Sequence, residues 1–118
     1  MGTSKLAMPI QEETLKAAGT IARNRFVIGP VAGAAQAGAA GFGIGVSGTS
    51  AVTGEFFPAT TSGIALVEAG ATISDNDLIQ SDADGKAITR VSTNPILGRA
   101  RSAATAIGQL IPVDLFKA

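Results

Sequence analysis

The chain has 118 residues, nine basic and nine acidic side chains, and no His, Cys, Trp or Tyr. That length fits one domain. Without cysteine there is no disulfide framework, and without histidine the commonest general base is missing. No run approaches the roughly 20 apolar residues of a membrane span, and Met1-Gly2-Thr3-Ser4-Lys5 lacks the apolar stretch of a signal peptide, so synthesis in the cytoplasm is expected.

The apolar content is made of small pieces. Ile, Leu, Val and Phe number thirty, against twenty-two Ala and fifteen Gly. Small side chains each remove little area from water, at roughly 25 cal/mol per Å². A modest core of this kind is usually reinforced by self-association, so a homo-oligomer is expected. The charges are segregated. Glu68, Asp75, Asp77, Asp82 and Asp84 form an acidic block, while Lys86, Arg90, Arg99, Arg101 and Lys117 face only Asp114. Blocks of opposite sign on a neutral chain suit self-complementary or head-to-tail contacts, or else they are ordinary solvated turns.

Residues 1–20 differ from the rest of the chain. Pro9, the Glu12/Lys16 spacing and Leu15-Lys16-Ala17-Ala18 allow a short helix. A segment of that length is marginal alone, so the expectation is a flexible arm that orders on a partner. Its apolar residues, Leu6, Met8, Ile10 and Leu15, are the candidate contacts: too sparse for a core, they could fill pockets or add a strand to an exposed edge.

From residue 21 to 118 the pattern is β. Arg25-Phe26-Val27-Ile28 reads as a strand stopped by Gly29-Pro30, and the Ala/Gly-rich stretch 32–41 as a loop or weak strand. Phe42, Ile44 and Val46 alternate with glycines. Glu55-Phe56-Phe57 is placed at an edge or strand end by Pro58, and 111–115 at an edge by an outward-pointing Pro112. Leu78–Ser81 and Lys86–Val91 flank Asp84-Gly85, which predicts a hairpin with a type I′ turn. Residues 102–107 are expected to form a helical turn. Strands at this spacing argue for a small barrel or sandwich.

The motifs that carry chemistry fail on context. Gly43-Ile44-Gly45-Val46-Ser47-Gly48 matches a dinucleotide fingerprint, but Thr49–Gly54 has no helical character to meet a pyrophosphate. Asp75, Asp77, Asp82 and Asp84 lack the glycine and glutamate positions of a calcium loop and suit turns instead. Lys86 beside a tight turn resembles the modified lysine of lipoyl and biotinyl carriers, but Asp84-Gly85 occupies the tip. Serines have no histidine base and no nucleophile elbow. Five Phe as the sole aromatics give few stacking platforms for nucleic acid. The reading is a non-enzyme, with no metal or cofactor.

Several phrases, in order, carry a family resemblance: Arg25-Phe26-Val27, Gly45-Val46, Thr53-Gly54, Gly63 with Val67-Glu68-Ala69-Gly70, Asp82-Ala83-Asp84-Gly85-Lys86-Ala87, Ile96-Leu97-Gly98-Arg99-Ala100, and Gly108 with Ile111-Pro112-Val113. Together they resemble the capsid cement, or head decoration, proteins of tailed bacteriophages, including lambda-type decoration proteins. Asn76-Asp77 departs from a Gly-Asp common in such sequences. The resemblance implies a mainly β fold, a small barrel or β-tulip, with an N-terminal arm over 1–20 and a β-rich decoration domain over 21–118. It implies oligomers, commonly trimers, on the exterior of an expanded head, where they brace major capsid protein subunits. It brings no catalytic or cofactor residues, no direct nucleic-acid contact and no membrane. The rival reading is a phage tail, fibre or baseplate binding module, and a third is a carrier domain on Lys86.

Overall fold

The computed structural model describes residues 8–116, and every regular element in them is a β-strand. In chain order these are β1 (Met8–Lys16), β2 (Phe26–Ile28), β3 (Ala35–Gln36), β4 (Gly45–Ser47), β5 (Phe56–Glu68), β6 (Leu78–Ser81), β7 (Ala87–Thr89), β8 (Gly98–Ala100) and β9 (Leu110–Leu115). They form one curled, half-barrel sheet in the order β3-β2-β4-β5-β9-β8-β6-β7. All ladders are antiparallel. β1 lies across β5 from β4, since Thr60 pairs with Glu12 on one side and Val46 on the other. The mainly β expectation holds. The helical turn expected at 102–107 does not form: Ala104 bridges to Ile73, and the Gln109 side chain accepts from the Thr105 and Ala106 amides.

The strand order is a palindrome because the chain folds the same way twice. β1, β2, β3, β4 and the start of β5 have as counterparts the end of β5, β6, β7, β8 and β9. The backbone bonds repeat pair by pair. Ala17 N donates to Glu55 O at 2.8 Å, as Ala69 N does to Gln109 O at 2.8 Å. Ile21 N to Ala51 O (2.8 Å) returns as Ile73 N to Ala104 O (2.9 Å), and Asn24 N to Ser47 O (2.9 Å) as Asn76 N to Ala100 O (3.0 Å). Unusual backbone recurs too: φ is 61° at Asn24 and 70° at Asn76. Asparagine tolerates this left-handed region better than most residues.

The two core clusters are two copies of one design. The first holds Leu15, Ala17, Ile21, Val27, Ala34, Ala51, Phe57 and Ala59. Their counterparts Val67, Ala69, Ile73, Ile79, Ala87, Ala104, Ile111 and Val113 all lie in the second. Fully burying each of the larger side chains contributes about 1.5–3 kcal/mol, so neither small cluster is a generous core alone. The second is enlarged by Phe26, Ala37 and Val46, which the first repeat presents from its outer side. Phe26 and Val27 are neighbours on β2 and, with the strand's period of two, serve different cores.

Two sequence expectations about this framework are corrected. Pro112 neither points outward nor marks an edge. It is buried, and β9 runs between β5 and β8. Its carbonyl accepts from Arg101 N at 2.9 Å, so its missing N–H faces that same side, where β8 has just ended at Ala100. Pro58 repeats this, accepting from Gly48 N at 2.9 Å just past the end of β4; it stands third in β5, near the strand end expected of it, though β5 is no edge strand. The Asp84-Gly85 hairpin forms, pairing Ser81 with Ala87, but not with a type I′ turn. Only Gly85 has positive φ, 77°, and Gly85 N donates to Asp82 O, giving a type I turn followed by a left-handed glycine. Asp82 Oδ1 selects it by accepting from the amides of Asp84 (2.8 Å) and Lys86 (2.9 Å).

Candidate functional site

The polar residues singled out for chemistry are engaged in structure. Asp77 Oδ2 accepts from Ser74 N at 3.0 Å and from the Thr89 hydroxyl at 2.9 Å. With Asp82 holding its own turn, two of the four aspartates do the turn-building read from the sequence. Among the described residues no three carboxylates gather to hold a metal ion. Gly45 to Ser47 of the glycine motif form β4, where a Cβ on Gly45 would stand 2.7 Å from Thr60 O. That glycine serves strand packing. Lys86 lies behind the hairpin tip with its Nζ 3.6 Å from Glu68 Oε2.

Glu68 is the centre of a joint between the repeats. Arg25 reaches it from the first repeat with Nε and Nη2 at 3.2 and 3.1 Å from Oε1, while Lys86 approaches from the second. Members of the acidic and basic blocks therefore meet inside one chain. Around this pair, Asn24 Nδ2 donates to Leu66 O at 3.0 Å, and Asn24 O accepts from Glu68 N at 3.0 Å. Arg25 Nη1 also donates to Asp84 O, and Phe26 N to Gly85 O, so the hairpin tip is inserted against the first repeat. These paired side chains keep only 16–26% of their surface in water, and the Asn24 and Phe26 backbone bonds hold the same joint.

Several large apolar side chains stand exposed on the surface. Phe56 is 69% exposed and its counterpart Leu110 48%. Each comes after a turn whose side-chain cap repeats, Glu55 accepting from Val52 N and Gln109 from Ala106 N. Val52 and Ile107 project from these turns at 56% and 69% exposure. A separate open groove of about 310 Å³ lies between the repeats, lined by Ile44, Leu97, Leu115 and Phe116. Phe42, 77% exposed, stands next to its Gly43 wall. None of these residues was a sequence candidate. A signal existed: Gly54-Glu55-Phe56-Phe57-Pro58 and Gly108-Gln109-Leu110-Ile111-Pro112 share a glycine, a capping side chain, two apolar residues and proline.

The arm candidates separate. Residues 8–16, within the stretch expected to be an arm, form β1 against β5. Leu15 is fully buried in the first core and is committed there. Leu6 and the side chains of Met8 and Ile10 lie outside the described residues.

A family profile described as phage cement protein matches residues 10–115. The chain belongs to the phage cement protein family. The matched span covers both repeats of this cement protein, which settles the resemblance read from the ordered glycine turns. No curated protein sequence matches the chain. Among solved structures, the head fiber gp8.5 N base of bacteriophage phi29 is similar, with a TM-score of 0.75 and 19% identity over 90% of this chain and 93% of that one. At that identity the likeness speaks for the fold. The cement protein is thus a virion-associated structural protein of the phage head.

Proposed function

We propose that the protein decorates the exterior of an expanded phage head, as a homo-oligomer, a trimer, and braces neighbouring major capsid protein subunits. The observation that carries this reading is the cement-family match over both repeats. The chemistry on the surface supports it: large apolar side chains such as Phe42 and Phe56 are exposed, while the Asp77 and Asp82 carboxylates are tied into turns. Exposed large apolar groups suit burial against a protein partner. Leu6, Met8 and Ile10, in or ahead of β1, are proposed to reach the shell, with the start of β1 adding a further strand on the side away from β5; at its end that side is already bonded, Lys16 N donating to Val31 O. Leu15 has no part in that grip, because the core already holds it.

The test is co-sedimentation with expanded capsids lacking their own decoration, using the full chain and a version without residues 1–7. The expected result is saturable binding by the full chain, weakened by the truncation, and a raised melting temperature of the decorated shell. No binding to expanded shells would defeat the proposal. A second reading, the base of a fibre or tail-associated module, is favoured by the fold shared with a head fiber base. Binding to tails in place of shells would select it.

A further inference from the structure

Inside the chain, the first repeat meets the second through two complementary half-interfaces. One comprises Asn24, Arg25, Phe26, Ala37 and Val46, the outer face of the first repeat. The other comprises Ala65, Leu66, Glu68 and the Asp84-Gly85 tip, the near face of the second. A tandem of two necessarily leaves one of each unused.

Both unused halves present side chains to solvent, but the Glu68 N–Asn24 O bond of the internal joint is not repeated, because Lys16 N already donates to Val31 O at 2.7 Å. Asp77 Oδ2 is likewise held by Ser74 N and the Thr89 hydroxyl, leaving its other oxygen free. On the second repeat the counterparts of the first set are Asn76, Asp77, Leu78, Arg90 and Arg99. Asn76 and Arg99 are exposed and Leu78 is half-buried, whereas Phe26, Ala37 and Val46 are fully covered by their partner repeat. On the first repeat the counterparts of the second set are Glu13, Thr14, Lys16 and the Val31-Ala32 turn. All are exposed, and Val31 leaves 57% of its surface in water.

We propose that these halves close on each other between molecules. A second copy of this chain docks head to tail, with Glu13, Lys16 and Val31 of one against Asp77, Leu78 and Arg99 of the next. Laid on the internal joint, this contact sets Lys16 against Asp77 where the chain itself sets Glu68 against Arg25. Both signs are reversed, so attraction is kept. The same overlay sets Glu13 beside Arg99 where Ala65 and Val46 share the second core. Two independent positions thus turn complementary, and Val31 takes the place of the inserted hairpin tip. Reversal also adds specificity, since Lys16 in the Glu68 position would repel Arg25. Such a contact is heterologous: it closes into a ring when the rotation allows and otherwise continues as a filament.

The chain contains no cysteine, which makes the contact directly testable. Lys16→Cys and Asp77→Cys, each in the otherwise full chain and carrying different tags, are expressed separately and together, then mildly oxidised. The expected product is a disulfide between the two variants in the mixture and none from either variant alone. Symmetric crosslinks of one variant, or no crosslink in the mixture, would overturn the proposal. In parallel, Lys16→Glu or Asp77→Lys should raise the midpoint concentration for assembly by about tenfold or more, because like charges then face each other. Combining the two should restore it. A combined variant that folds by circular dichroism but stays as weak as the singles would equally refute the contact.

Discussion

Leu15 and Gly85 each do something their local sequence only half announces. Leu15 stands in a sparse, polar segment that reads as an arm, yet it is the counterpart of Val67 and fills the first core. Nothing within a few residues could reveal this, because the contact with Phe57 comes from a distant strand. Leu15→Ala should cost about 2–5 kcal/mol, the range for a buried leucine, seen as an earlier urea midpoint by circular dichroism. An unchanged midpoint would return Leu15 to the surface. Gly85 was legible as a turn residue; its second duty was not. A side chain there meets both the positive φ and Phe26 O, 3.0 Å from where its Cβ would sit. Gly85→Val should therefore cost more than the roughly 1 kcal/mol of backbone strain alone, read as a fall in melting temperature. Asp84 misled on turn type because Asp82, two residues earlier, supplies the carboxylate that fixes the loop.

Strand positions were mostly visible in the alternation of apolar residues and the glycine stops, but neighbours were not. Pro58 and Pro112 illustrate why. The sequence rule counts a missing donor and sends proline to an edge; the fold cares only which way that donor would point. Each proline aims its bare nitrogen past the end of a short strand and keeps its carbonyl bonded. Shifting the proline by one residue should remove that tolerance. Val113 pairs with both Ala65 and Ala100, so Val113→Pro should cost about 3 kcal/mol or more, whereas Pro112→Thr should change stability little. Equal destabilisation by the two substitutions, in matched urea titrations, would contradict that difference. The short β3, β4 and β8 were read from their glycines only loosely, because two or three residues carry too little periodicity.

At the scale of the molecule, the family was readable and the internal duplication was not. Only scattered identities survive between the halves, such as Ala17, Ile21 and Asn24 with Ala69, Ile73 and Asn76. The later half carries an extra residue at the β6–β7 turn and another ahead of β9, so no fixed period aligns them. What persists is which positions are buried, and burial tolerates exchanges such as Phe57 for Ile111 when the surroundings adapt. Because β5 belongs to both halves and Phe26 to the other half's core, the repeats should not unfold separately. A single urea transition, coincident by circular dichroism and by NMR signals from each half, is expected; two resolved transitions would show independent units. Gly63 has a mechanical consequence, since it pairs with Pro9 on one flank and Leu115 on the other. Adjacent strands are about 4.8 Å apart, so Pro9 and Leu115 lie roughly 10 Å apart on a single rung. Tension applied at those two points would unzip β1 and β9 from β5 one bond at a time. A load carried between the Gly54 and Gly108 turns would instead pull along the strands and strain many rungs together. Held by its turns the sheet is mechanically strong; held at Pro9 and Leu115 it is weak.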